Sequence, residues 1–314
     1  MRISQVTGPR RSEIVESPDP VPTADQVLVD VLACGVCTSD RAPWRSGPGD
    51  GDPIRLGHEM VGRIVALGSP DSVWRVGDVV TGLGGPGFAE RAVMNRDAIL
   101  RVPDDADPAL WIGEPLACLE EALGRCTPLP GARVAVVGLG FMGLGLVQLL
   151  RRHSPAIIVG VDPSAAAREH GLRNGADEVY DPAALPEGYG DGAEGAADRR
   201  MDLVLEATGV TPGLETAGSL VRPYGTLCVV GYHHAGTATF DMRLWYKAVT
   251  VVNGFSPDRR RTMRAMARAL DLLREGAIDS GRLITHRVGL DGVDAAYELM
   301  EAPTPDFVKS VVLP

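Results

Sequence analysis

The sequence predicts a mixed α/β protein in which a β-rich domain accompanies a doubly wound parallel sheet. Residues 1 to about 112 read as short alternating or apolar runs broken by Gly, Pro and Asp, with few stretches long enough for a helix. From about 114 to 254 the rhythm becomes strand, helix, strand, helix, which implies a parallel sheet covered on both faces. Inside that rhythm one apolar strand runs straight into Gly138-Leu139-Gly140-Phe141-Met142-Gly143 and then an apolar helix.

In the first region, strands are expected over residues 26–32, 61–67, 78–81 and 90–94. In the second, strands fit 133–137, 157–161, 203–205, 226–230 and 249–252, and helices fit 142–152, 165–174 and 213–221. Residues 181–200 are rich in Gly, Ala and acids with nothing to bury, and are expected to form a mobile surface loop. After Asn253-Gly254, a helix carrying Met263, Met266, Leu270 and Leu273 on one face is expected to pack into a core. Arg259-Arg260-Arg261 would be its solvated start. Short strand-like runs close the chain at Val311-Val312-Leu313.

A chain of 314 residues is long enough for two domains, each with its own core. The formal net charge of -10 and the lack of a long basic block argue against nucleic acid and for a small-molecule partner. The first ten residues contain no apolar run resembling a signal peptide, so a cytoplasmic location is expected. The longest apolar stretch, Val134 to Leu150, is interrupted by glycines and Gln148 and is too short to span a bilayer comfortably, so no membrane partner is expected. Five cysteines, an odd number, argue against a disulfide framework; a special cysteine here would be a metal ligand or an inert core thiol.

The glycine turn fits a dinucleotide. Gly138 permits a sharp turn, Gly140 lets a pyrophosphate approach the backbone, and Gly143 lets helix and strand pack closely. The helix N-terminus then offers unpaired N–H groups to phosphate. Asp162, nineteen residues past Gly143 at the end of the next strand, can accept hydrogen bonds from both adenine-ribose hydroxyls and repels a 2′-phosphate, so NAD is favoured over NADP.

Cys37-Thr38-Ser39-Asp40 and Gly57-His58-Glu59 place sulfur and imidazole donors in separate segments, and Glu114 in Gly113-Glu114-Pro115 is a third candidate. Three protein ligands plus an open position is the arrangement of a catalytic zinc.

Together these segments resemble the zinc-containing medium-chain dehydrogenase/reductase (alcohol dehydrogenase) family over nearly the whole chain. Arg75-Val76-Gly77-Asp78-Val79-Val80, Gly87-Phe88-Ala89-Glu90, Glu206-Ala207-Thr208-Gly209, Leu283-Ile284-Thr285-His286 and Lys309-Ser310-Val311-Val312 extend the likeness. The resemblance implies a GroES-like catalytic domain over 1–113 and 255–314 and a Rossmann domain over 114–254. It implies Cys37 and His58 as zinc ligands, Glu59 as a glutamate able to enter the coordination shell, and Asp40 as the carboxylate orienting the imidazole. Glu114 matches the third-ligand position of the polyol, sugar and threonine dehydrogenase branch, with Cys118 as its rival. Ser39 matches a proton-relay hydroxyl. Thr38, Thr208 and Gly209 would face the cofactor, and Lys309 would reach its phosphates or stay on the surface. Cys34 is expected to serve packing.

Two departures stand out. A structural-zinc lobe should fall between Val80 and Gly87, where only Thr81-Gly82-Leu83-Gly84-Gly85-Pro86 stands, so no second zinc is expected. Arg41-Ala42-Pro43 replaces a relay histidine, and His233, just after a strand, is the candidate for the proton path. The implied activity is hydride transfer between NAD and a secondary alcohol of a polyol, sugar or cyclitol, by a homo-dimer or homo-tetramer. Two other readings stay open. One is a zinc-free quinone or enoyl reductase of the same superfamily using NADPH, against which Cys37, His58, Glu59 and Asp162 argue. The other is a non-catalytic dinucleotide-binding protein.

Overall fold

The computed structural model describes residues 1–70, 73–190, 199–233, 236–239 and 241–314. The chain divides into two compact units, one of Met1–Ala117, Asp258–Asp271 and Ser280–Pro314, the other of Cys118–Pro257 and Leu272–Asp279.

The first region supplies β1 (Arg2–Gly8), β2 (Arg11–Glu16), β3 (Gln26–Gly35), α1 (Arg41–Ser46), β4 (Glu59–Leu67), β5 (Val79–Gly84), β6 (Arg91–Arg101) and α2 (Gly113–Arg125). Strands β3 to β6 pair antiparallel in chain order, and β3 also pairs with β6, which closes the sheet on itself. Val27, Val29 and Val31 of β3 alternate inward with Met60 and Ile64 of β4, the period-two pattern of a strand with one buried face. Where the structural-zinc lobe is expected to be missing, Thr81 to Gly84 belong to β5, and Gly85-Pro86 follows with a cis peptide bond.

The second region supplies β7 (Arg133–Val137), α3 (Phe141–Leu150), β8 (Ile157–Val161), α4 (Ala165–Arg173), β9 (Glu178–Tyr180), β10 (Met201–Glu206), α5 (Thr211–Leu220), β11 (Val221–Val229), α6 (Met242–Tyr246) and β12 (Thr250–Asn253). The strands form one parallel sheet in the order β12-β11-β10-β7-β8-β9. The chain leaves β7 in one direction and resumes at β10 on its other side, so the topological switch point lies between these two strands.

The chain closes with α7 (Arg259–Arg274), β13 (His286–Gly289), α8 (Val293–Glu301) and β14 (Ser310–Leu313). Strand β14 pairs antiparallel with β3, which joins the C-terminus to the first unit's sheet. On α7, Met266 and Leu270 are buried with Met263 packed against them, as the spacing predicts. Tyr297 of α8 stacks on Trp44 of α1, ring centroids 5.0 Å apart, in the first unit's core.

The expected loop over 181–200 needs correction where it is described. Tyr189 is buried, donates its hydroxyl to Glu178 and lies within 6.0 Å of the Arg133 guanidinium, while Leu185 packs on the same core. Averaged composition hid one aromatic that has a core to enter. Residues 191–198 of that stretch lie outside the described residues. Helices α2 and α8 lie outside the expected elements, although Leu116, Leu119 and Leu123 of α2 are buried at helical spacing. No helix among the described residues is long and apolar enough to cross a membrane.

Candidate metal and dinucleotide sites

Strand register brings the ligand-type residues of the first unit together. Gly35 near the end of β3 faces Glu59 at the start of β4, so Cys37, two residues beyond Gly35, and His58, one before Glu59, arrive at the same sheet end. Cys37 Sγ, a His58 ring nitrogen and a Glu59 carboxylate oxygen lie within 4.8 Å of one another. Among the described residues this is the group of three or more such side chains able to hold a metal ion.

Asp40 orients the imidazole: its Oδ2 lies 3.2 Å from His58 Nδ1 and accepts from Gly57 N at 3.2 Å. With Nδ1 so engaged, Nε2 is the nitrogen left for a metal. Burial alone would lower the imidazole pKa, yet hydrogen bonds to Asp40 and Cys37 outweigh it and the ring is pushed up to about 11. Sulfur, imidazole and carboxylate form a donor set suited to zinc. Ser39 Oγ donates to Cys37 Sγ at 3.2 Å.

Glu59 is the most buried of the three at 1% exposure. Lys309, just before β14, donates to Glu59 Oε1 at 2.9 Å and to Val36 O at 3.0 Å. Its ammonium is also 2.8 Å from Glu59 Oε2, close enough for ion pairing, although that oxygen receives no well-angled hydrogen bond. Gly35 makes the approach possible, since a Cβ there would lie 1.9 Å from Glu59 Oε2. This corrects the expectation of a surface role for Lys309: its amino group is buried against the metal-type cluster. Burial works against its charge, and Glu59 and then Cys37 more than restore it, so its pKa is raised.

Glu114 lies in the first turn of α2 and is not one of the three converging groups, nor is its rival Cys118 one turn further on. Cys34 is fully buried, beside the places where a Cβ on Gly57 or Gly87 would stand, and burial holds its thiol well above the usual range, so packing is its role.

In the second unit each glycine of the turn does a different job. Gly138 has φ +93°, where a Cβ would meet Thr208 at 2.7 Å. Gly140 caps α3 and faces open space. A Cβ on Gly143 would lie 1.8 Å from Gly138 O, so helix and strand could not pack this closely with any larger residue. Asp162 ends at the same turn, with Oδ2 accepting from Leu139 N at 2.9 Å and Oδ1 from Ser164 N at 2.8 Å. Thr208 and Gly209 follow β10, and His233 follows β11 with Nε2 3.1 Å from Glu206 Oε2.

Comparison with known proteins decides what this combination is. Residues 23–104 match the alcohol dehydrogenase GroES-like domain, and residues 142–272 match the zinc-binding dehydrogenase family. The chain belongs to the zinc-type alcohol dehydrogenases of the medium-chain family. It is 26% identical to a sorbitol dehydrogenase of Halalkalibacterium halodurans, over 92% of each chain. It is 25% identical to D-arabinitol dehydrogenase 1 of Uromyces fabae, over 93% of this chain and 91% of that one. A zinc-binding dehydrogenase structure from Sinorhizobium meliloti 1021, bound to NADP, superposes with a TM-score of 0.83 at 26% identity, covering 100% of this chain and 99% of that one. The dehydrogenase is therefore an oxidoreductase of small-molecule alcohols whose family uses zinc and a nicotinamide dinucleotide.

One pairing and one role escaped the sequence reading. The Lys309–Glu59 pair left no local signal, because the partners are 250 positions apart. Glu206 could have been noticed as an acid ending an apolar strand.

Proposed function

We propose that this dehydrogenase transfers hydride between NAD and a secondary alcohol or its ketone, the alcohol belonging to a polyol, sugar or cyclitol. The observation that carries the reading is the convergence of Cys37, His58 and Glu59 within 4.8 Å. The sorbitol and D-arabinitol dehydrogenases among its relatives support the substrate class.

When bound, zinc supplies a Lewis acid and the dinucleotide supplies the two-electron acceptor. Cys37 and His58 would hold the cation, with Glu59 or Glu114 completing its shell, as the one zinc site expected among the described residues. Asp40 holds His58 through Nδ1, so Nε2 would be the nitrogen offered to the cation. Ser39 Oγ, anchored on Cys37, retains lone pairs to accept the substrate proton. His233 is the candidate for the outward proton path, with Glu206 as its partner.

Thr38, Thr208 and Gly209 would be cofactor contacts, the latter two at the nicotinamide ribose. Gly140 would let the pyrophosphate approach at a turn shaped by Gly138 and Gly143, and Asp162 would accept from the adenine-ribose hydroxyls, which favours NAD even though one relative binds NADP. Five cysteines without a disulfide suit a reducing cytoplasm. Edge strand β12 leaves Val251 exposed, and Trp245 and Tyr246 are exposed on α6, features that favour a homo-oligomer formed by edge pairing. Light scattering should then show a dimer or larger species that Val251→Asp dissociates.

The deciding experiment is metal analysis of the purified protein together with NAD- and NADP-dependent turnover on a panel of polyols, sugars and cyclitols. About one zinc per chain and NAD-dependent oxidation are expected. Turnover that persists without metal, or cofactor binding with no turnover on any alcohol, would sink the reading.

A further inference from the structure

Glu206 is a carboxylate with no exposed surface, at the carboxyl end of β10. Its neighbours in the sheet are Val137, the last residue of β7, and Val229, the last of β11. It therefore sits at the switch point, where open parallel sheets bind ligands. A buried carboxylate needs donors, and each one it recruits here belongs to a segment facing that point.

Oε1 accepts from Thr208 N at 2.6 Å, from Gly209 N at 2.9 Å and from the Thr208 hydroxyl. Its backbone oxygen accepts from Val230 N at 2.8 Å and Gly231 N at 2.9 Å, tying in the segment that leads to His233. Neither turn has room to move. A Cβ on Gly213 would lie 2.0 Å from Thr208 Oγ1, one on Gly209 2.4 Å from Tyr232 O, and one on Gly231 2.2 Å from Gly209 N.

Oε2 has His233 Nε2 at 3.1 Å. A carboxylate only accepts, so Nε2 must carry a proton, and in the neutral ring Nδ1 is then the nitrogen with a lone pair. We propose that Glu206 is a positioning residue with two tasks: Oε1 shapes the Thr208–Gly209 turn for the dinucleotide, and Oε2 locks His233 as the Nε2–H tautomer, leaving Nδ1 as the acceptor. The first task rests on the reading of Thr208 and Gly209 as cofactor contacts; the second stands on the geometry of this unit alone.

Two variants separate the tasks. In Glu206→Gln the amide oxygen can still take the Thr208 and Gly209 donors, but the amide N–H now faces His233, which must accept through Nε2. In Glu206→Ala the Thr208–Gly209 turn loses its acceptor and His233 its partner, while the backbone oxygen still takes Val230 N and Gly231 N. The measurements are ring ¹⁵N shifts of labelled histidine, assigned by the resonance lost in His233→Asn, and NADH affinity by fluorescence titration.

The expected results are an Nε2–H ring in the wild type, an Nδ1–H ring in E206Q with NADH affinity held within about threefold, and roughly tenfold weaker NADH binding in E206A. An Nδ1–H ring in the wild type, an unchanged tautomer in E206Q, or wild-type NADH affinity in E206A overturns the proposal. If E206A does not fold, the E206Q tautomer decides. A wild type that binds neither NADH nor NADPH overturns the cofactor reading instead, and the ring measurement still judges Glu206.

Discussion

Glu59 and Glu206 are two carboxylates withdrawn almost completely from solvent, one in each unit, and their surroundings answer the cost of burial in opposite ways. Glu59 is met by charge: the Lys309 ammonium lies against it, and Oε2 keeps accepting capacity that no well-angled donor uses. Glu206 is met by neutral or backbone donors, with both oxygens engaged. A carboxylate held by one ammonium beside a thiol sulfur and an imidazole can exchange that partner for a metal. One saturated by turn N–H groups cannot leave without collapsing the turn. The first arrangement suits chemistry, and the second suits shape.

The sharpest way to break this contrast is at the ligands of the charged site. Cys37→Ala or His58→Ala should abolish stoichiometric zinc and lower turnover by roughly 10³-fold, as read by elemental analysis and steady-state rates. Full activity in a metal-depleted variant would move the chemistry elsewhere.

Lys309→Met comes next. It strands a buried carboxylate, so the metal-free protein should lose on the order of 3 kcal/mol in urea unfolding, with part of the loss regained on adding zinc and most of it in Lys309→Arg. No destabilisation would mean that Glu59 is not held by charge.

Asp40→Asn keeps the shape beside His58 Nδ1 but removes the charge, and zinc affinity measured against a competing chelator should fall about 10-fold to 100-fold with little change in thermal midpoint. The smallest effect is expected at Asp162, which resembles Glu206 in resting on backbone donors. Asp162→Ser should weaken NAD binding by about tenfold and narrow the preference over NADP.

Local pattern carried much of the fold. The strands expected at 133–137 and 157–161 appear with those bounds, and the three glycines take the distinct conformations their spacing implies. These features depend on neighbours within a few residues, where periodicity and backbone sterics act directly. Tyr189, read as part of a loop, shows the limit, because one side chain finding a core is invisible to composition.

By itself, the sequence determined the glycine turn, the alternation that builds the parallel sheet, and the donor types Cys37, His58 and Glu59. Tertiary structure alone decided that β14 lies beside β3 and β3 beside β4, which sets Lys309 on Glu59 across the gap that Gly35 leaves open. It also decided that Glu206 would face His233 rather than solvent. The reason is physical: a buried charge takes whichever partner strand register delivers, and register is a property of the assembled sheet rather than of any one segment.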